Sequence, residues 1–221
     1  MEWQDEGYLL SKNIYSENSI IIDAFTLNHG KYNGIVYGGS SRKVKKIFQI
    51  GNKIFINWKS KSENHPGYFS VELIKPTIPL FFDDKKKSVC LLAAASILKI
   101  LLPERQTNKK IFISFEKLIE NFHDKNWIKS YIFWELSLIK ELGFEIDFMT
   151  NNSNFKNKTI EINNKFYEIP RLFVNKDLKE YLMRDIYEAL IFNNTLLMEN
   201  FIIPYQLKIP YSRKILEDYF A

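Results

Sequence analysis

The chain has 221 residues, with 31 Lys+Arg against 26 Asp+Glu, three His, one Cys and a formal charge of +5. Hydrophobic residues make up 46% and aromatics 15%, enough to bury a core, so a disordered polar tail is excluded. One cysteine excludes an internal disulfide and a multi-cysteine zinc site, and points to an intracellular setting. The modest positive charge permits a polyanionic partner without demanding one. The start, Met1-Glu2-Trp3-Gln4-Asp5-Glu6, lacks the basic and apolar regions of a secretory signal. The longest apolar run, Val89 to Leu102, is broken by Lys99 and closed by Pro103, short of the roughly 18–20 residues of a membrane span. The expectation is a cytoplasmic protein with no membrane contact.

The first third has strand texture. Gly7–Ile14 is a short run. Ser19–Leu27 is β-branched and aromatic. Asn28-His29-Gly30-Lys31 signals a turn, and Tyr32–Tyr37 follows as a strand ending at Gly38-Gly39. After Gly51-Asn52, Lys53–Lys59 alternates, with Ile54, Ile56 and Trp58 on one face. Ser60–Gly67 is a polar loop holding Pro66, and Tyr68–Ile74 alternates again, with Phe69, Val71 and Leu73 on one side. Five strands in about 75 residues, with no long helix, fit a small closed β-barrel such as an OB-fold.

Pro76 and Pro79 close that region, and a boundary is placed near residue 80. Ser88–Leu102 is almost wholly apolar and predicts a central helix. Ile111–Phe122 is amphipathic. Asn126–Leu142 predicts a third helix, with Gly143 as the residue just past its end. Thr159–Glu168 predicts a hairpin around Asn163-Asn164. Lys176–Leu182 and Arg184–Asn193, the latter continuing to Phe201, predict helices, and Ser212 is placed to cap a last one through Phe220. The expected class is α+β: a barrel over 1–80 and a mainly helical domain over 81–221 carrying the small hairpin.

No catalytic constellation is legible. His29, His65 and His123 are scattered, with no zinc-binding spacing. Cys90 sits in an apolar run, the setting of a structural thiol. Asp83-Asp84 reads as a helix start favoured by the dipole; a metal nuclease built on them is the discarded alternative. The expectation is no enzyme, no metal and no cofactor.

The basic cluster is more informative. Arg42, Lys43, Lys45 and Lys46 fall within five residues after Gly38-Gly39-Ser40-Ser41. Lys31 and Tyr32 lie at the other end of the same strand, and Tyr37 precedes the glycines. Glycines let backbone N–H groups approach a phosphate, cations neutralise it, and Tyr32 and Tyr37 offer faces for unpaired bases. A solvated charged loop is the plain alternative. In the helical region, Trp134 and Leu138 read as core, and Glu135 needs a basic partner that the sequence does not identify.

Several segments resemble one family. Met1-Glu2-Trp3-x-Asp5-Glu6-Gly7, His29-Gly30-Lys31, Gly38-Gly39-Ser40-Ser41-Arg42-Lys43 and Gln49-x-Gly51-Asn52 resemble the N-terminal half of the RecO family of bacterial DNA repair proteins, in its alphaproteobacterial form. Leu102-Pro103-Glu104-Arg105 and Trp134-Glu135-Leu136-x-Leu138-Ile139-x-Glu141-Leu142-Gly143-Phe144-x-Ile146-Asp147 continue the likeness; 151–171 match weakly. The resemblance implies an OB-fold joined to a helical domain and a recombination mediator without catalytic turnover. It implies binding of single- and double-stranded DNA, annealing of complementary strands, and RecA loading with RecR. It also implies binding of the acidic C-terminal tail of single-stranded-DNA-binding protein, and a cytoplasmic, nucleoid-associated location. Two departures stand out. Many relatives carry a four-cysteine zinc site, and here Asn151 stands where the first cysteine belongs, so the Thr159–Glu168 hairpin is expected to take over its ordering role. Tyr37 occupies an often basic position.

The expected DNA contacts are Lys31, Arg42, Lys43, Lys45 and Lys46, with Tyr32 and Tyr37 as stackers. Arg105, Lys129 and Arg184 are candidate clamps for a tail carboxylate. The alternative function is a protein-interaction adaptor that binds no DNA.

Overall fold

A computed structural model describes residues 1–41, 44–62, 67–77, 83–144, 159–162, 165–174 and 180–221. The expectations placed on Arg42, Lys43, His65, Pro66, Pro79, Asn151 and the Asn163-Asn164 turn lie outside these residues.

Five strands, β1 (Glu2–Ser16), β2 (Ser19–Thr26), β3 (Gly30–Tyr37), β4 (Lys53–Lys59) and β5 (Tyr68–Lys75), close into a barrel in the order β1-β2-β3-β5-β4. β4 pairs back onto β1; the β3–β5 contact is parallel and the others antiparallel. This is the expected OB-type barrel. Ile54, Ile56 and Trp58 point into it, as their alternation predicts.

β1 begins at Glu2 rather than Gly7. Its first half pairs with β4, from Glu2↔Lys59 to Tyr8↔Lys53, and its second half with β2. Glu2, Gln4 and Glu6 face solvent while Trp3 and Asp5 face inward. A buried carboxylate in the apolar phase hides the alternation. A bulge between Leu9 and Ser11 then shifts the register. Leu9 fills the barrel, whereas Tyr8 and Leu10 pack with Phe25 into the helical core. The apolar run Tyr8-Leu9-Leu10 thus serves two cores at once.

The helices are α1 (Lys85–Leu101), α2 (Lys109–Asn121), α3 (Trp127–Glu141), α4 (Arg171–Val174), α5 (Met183–Leu197) and α6 (Tyr211–Asp218), with a hairpin of β6 (Thr159–Ile162) and β7 (Lys165–Glu168) between α3 and α4. α1 is central and buries Cys90, Leu91, three alanines, Ile97 and Leu98. Asp84 caps it, its Oδ1 accepting from the Lys87 N–H at 3.1 Å. Asn108 caps α2 likewise. Gly143 ends α3 with φ +99°, the left-handed conformation that favours glycine.

Two helix expectations need correction, while the helix expected over Arg184–Asn193 with its continuation to Phe201 is met by α5 and the π-turn that follows it. Residues 180–182 are not helical, and 175–179 lie outside the described set. α5 starts at Met183, where Asp185 accepts from the Leu182 N–H at 2.8 Å, and it passes into a π-turn, Met198–Ile202, before Phe201 is reached. Ser212 does not cap α6. Pro210, with its fixed φ, occupies that position, and Ser212 Oγ lies 3.4 Å from Ser96 Oγ of α1.

Glu135 finds its partner in Arg213 of α6. Both are wholly buried; Nε reaches Glu135 Oε1 at 2.7 Å and Nη2 reaches Oε2 at 3.1 Å. Nη2 also donates to the Leu190 carbonyl at 2.7 Å, and Tyr131 donates to Glu135 at 2.7 Å. The guanidinium fork thereby ties α3, α5 and α6 together.

Barrel and helices are also tied by polar contacts. Tyr8 Oη donates to Glu116 at 3.0 Å and Lys53 Nζ lies 2.9 Å from the same carboxylate. Lys99 of α1 pairs with Asp23 of β2 at 3.0 Å. Among the described residues no helix is long and apolar enough to cross a membrane.

Candidate nucleic-acid interface

The loop between β3 and β4 is anchored at both ends. At its start, Gly38 has φ +71° and its N–H donates to the Asn18 carbonyl at 2.6 Å. Gly39 passes so close to β2 that a Cβ there would sit 2.6 Å from Ile20. At its end, buried Asn52 donates to the carbonyls of Lys46 and Ile47, each at 3.0 Å, and accepts from the Thr77 N–H at 2.9 Å. Val44, Ile47 and Phe48 pack on the barrel core, and Phe48 is buried. The spacing Val44-Lys45-Lys46-Ile47-Phe48 therefore turns Lys45 and Lys46 outward, and both are exposed. Apolar anchors and a side-chain knot hold the two cations on an ordered surface.

A third cation joins them. Lys12, late in β1, has its pKa pushed below the ordinary lysine value, first by partial burial and then by the charge of Lys45. The charge of Lys45 acting on Lys12 makes this a positive spot that draws a phosphate. The sequence did not single out Lys12, because only folding brings β1 beside the loop.

Tyr37, the last residue of β3, is 68% exposed. Its ring stacks with that of Tyr68 at the start of β5, centroids 5.3 Å apart and planes at 17°. The neighbouring Tyr68 hydroxyl holds the Tyr37 phenol above its ordinary pKa. Tyr15, near the end of β1, is 58% exposed. Register explains the grouping: Ser16 pairs with Ser19, Ser19 with Tyr37, and Ile35 with Tyr68. Tyr68 read as an outward strand residue in the sequence, and nothing there tied it to Tyr37.

Lys31 and Tyr32 lie elsewhere. Lys31 is buried and its Nζ donates to the Lys99 carbonyl at 2.7 Å, so its ammonium braces the barrel against α1 rather than facing solvent. Burial pulls its pKa down, against the opposing pull of Glu104 and Asp23. Tyr32 is half-buried. Its ring meets Trp3 and Trp58 edge-on, centroids 4.9 and 5.4 Å away, and the Arg105 guanidinium lies 5.6 Å from its centre. Its ring thus already has the Arg105 guanidinium over it and two indoles against it. The adjacent His29 stacks on Trp3 at 4.1 Å and contacts Asp5 at 3.1 Å.

The three candidate clamps do not converge. Arg105, in a left-handed conformation with φ +60°, donates its backbone N–H to Lys31 O at 2.8 Å and covers Tyr32. Arg184 is paired with Glu188 at 2.6 Å beside a cleft between β7, α4 and α5. Lys129 lies 5.9 Å from the ring centre of Phe133 in a cleft of about 430 Å³ between α2 and α3. That cleft has Leu118, Phe133 and Trp134 as its apolar part, with Lys117 joining Lys129 at its margin and no acidic lining residue. Lys117 was not foreseen, since an amphipathic helix places lysines on every exposed face.

Beside α5, the hairpin is held by Glu199 of the π-turn, which meets Lys165 Nζ at 2.9 Å and Tyr167 Oη at 2.7 Å.

Residues 1–77 match the family model described as Recombination protein O N terminal, and 83–181 match Recombination protein O C terminal. Proteins named DNA repair protein RecO from Cereibacter sphaeroides and Roseobacter denitrificans are 36% and 33% identical over 147 residues, and one from a Wolbachia of Drosophila simulans is 32% identical over 149. Each match covers 66% of this chain and 61% of the relative.

Proposed function

The chain belongs to the RecO family of DNA repair proteins, and from that premise we propose that it is a non-catalytic mediator that binds single- and double-stranded DNA and anneals complementary strands. With RecR it promotes RecA loading on strands coated by single-stranded-DNA-binding protein, in the cytoplasm at the nucleoid. The observation that supports DNA contact best is the anchored loop, whose apolar residues hold Lys45 and Lys46 outward beside Lys12. Arg42 and Lys43 belong to the same basic run and are proposed as phosphate contacts with them. Tyr37 is the proposed stacker. Lys31 and Tyr32, at the far end of β3 from the loop, are assigned to the barrel scaffold and its junction with α1.

Partner contact is proposed for the helical half. The α2–α3 cleft, apolar with two lysines at its margin, suits an acidic tail that ends in an aromatic side chain and a carboxylate. Lys117 and Lys129 fill the clamp role there; Arg184 already has Glu188, and Arg105 serves the barrel.

The test uses the full chain with labelled single strands, duplexes and a labelled acidic tail peptide. Changing Lys45 and Lys46 to Glu is expected to weaken both DNA probes at least tenfold and slow annealing, with peptide binding intact. Changing Lys117 and Lys129 to Glu is expected to do the reverse. Unchanged DNA binding in the loop variant would remove the basis of this assignment. A chain that binds peptide and no DNA favours the adaptor.

A further inference from the structure

Exposed aromatic rings cost water contacts that a folded chain normally avoids, and three lie together here. Tyr37 and Tyr68 form a nearly parallel stacked pair, and strand register brings Tyr15 to the same end of the sheet, since the next residue, Ser16, pairs with Ser19 and Ser19 with Tyr37. None contributes to either hydrophobic core. Their exposures are 68%, 40% and 58%. The pair is rigidly placed: Tyr37 ends a strand paired with β2, and Tyr68 opens a strand paired with β4 and bridged to β3. A ring already aligned by a partner loses little freedom when a third ring stacks on it. The basic loop leaves the barrel at Tyr37 itself, and Lys12 precedes Tyr15 by three residues on β1.

From this juxtaposition we propose that Tyr37, Tyr68 and Tyr15 form a base-stacking platform that takes only unpaired nucleobases, so that they set the preference for single-stranded over duplex DNA while the lysines serve both. The inference rests on the DNA-binding reading above. A nucleobase in a duplex has both faces covered by its neighbours in the stack, so a flat tyrosine on a barrel surface cannot reach one. An unpaired base can turn its face to the outer side of the Tyr37 ring, and its phosphate then lies toward the loop. Phosphates, by contrast, line both forms of DNA, and the ammonium groups of Lys12, Lys45 and Lys46 meet them in either case. Stacking is tolerant of base identity because every base has a π-face. The selectivity is therefore for strandedness and not for sequence. Tyr68 orders Tyr37 through its stacked ring, and Tyr15 extends the surface to the next base.

The experiment measures binding of the full chain to a labelled oligo(dT) strand, the same strand with abasic positions, and a blunt duplex of equal length. Tyr37→Ala and Tyr68→Ala are expected to weaken the oligo(dT) complex about five- to hundredfold, to change the duplex complex less than about twofold, and to leave the salt slope unaltered. The abasic strand should bind the wild-type chain as weakly as oligo(dT) binds Tyr37→Ala. Tyr37→Phe, which keeps the ring, should retain most of the affinity. Equal losses on strand and duplex, no loss on either, or full binding of the abasic strand overturn the platform while DNA binding itself stands. A wild-type chain that binds none of the probes overturns the DNA-binding reading and this inference with it. Loss of RecR binding in the alanine variants, with DNA affinities unchanged, would assign the rings to a protein interface instead.

Discussion

Replacing Arg213 by Met removes the charge that neutralises Glu135 inside the helical core. Four donor contacts go: Nε and Nη2 to Glu135 at 2.7 and 3.1 Å, Nη2 to the Leu190 carbonyl at 2.7 Å, and Nη1 to Glu217 at 3.2 Å. Glu135 is then left wholly buried with only the Tyr131 hydroxyl as a described donor. Breaking one partner of such a pair costs about 3–5 kcal/mol, because a charge is left unpaired in low dielectric. For a chain of this size each kcal/mol lowers Tm by about 2–4 °C, so the expected fall is on the order of 10 °C. The double variant Arg213→Met, Glu135→Leu removes both charges, and replacement by apolar groups of similar size is often nearly neutral. It should be clearly more stable than Arg213→Met alone. Urea unfolding and thermal melts followed by circular dichroism measure both. A single-variant cost below about 1 kcal/mol, or a double variant whose loss equals the sum of the two single losses, refutes the reasoning.

Three other outcomes are expected. Asp5 is buried, which alone would raise its pKa, but hydrogen bonds from Asn28 and His29 outweigh this and hold it below the ordinary value. Its contribution is therefore full above about pH 4 and is lost as pH falls through the lower native value; unfolding curves taken down to about pH 3 should decline less steeply for Asp5→Asn. Gly30→Ala should cost about 3 kcal/mol or more, since φ is +78° and the new Cβ would lie 2.1 Å from the Gln106 carbonyl oxygen. Gly38→Ala, at φ +71° with nothing within 4 Å, should cost only about 1 kcal/mol in the same urea assay.

Much of this architecture was legible because periodicity is local. Ile54, Ile56 and Trp58, the apolar α1 run and the Gly143 stop each follow from neighbours a few residues away. Distant pairings were not legible. The start of β1 was hidden by Asp5, an acid buried by contacts from residues 28 and 29. The partner of Glu135 sits 78 residues away. At the candidate interface, residue type identified the basic loop and Tyr37, while register decided what surrounds them. Lys31 looked like a turn cation and is a buried strut; Lys12, Tyr15 and Tyr68 looked ordinary and border the loop or Tyr37. The charge arithmetic tells the same story: residues 1–80 hold ten Lys+Arg against seven Asp+Glu, a small excess whose placement matters more than its size.

The most direct test of the central claim is the salt dependence of single-strand binding by the full chain and by its Lys12, Lys45, Lys46 triple-alanine variant. Each phosphate contact contributes about 0.7 to the slope of log K against log salt, so the variant should bind more weakly with a slope shallower by about 2. An unchanged affinity and slope would contradict the placement of DNA on this face of the barrel.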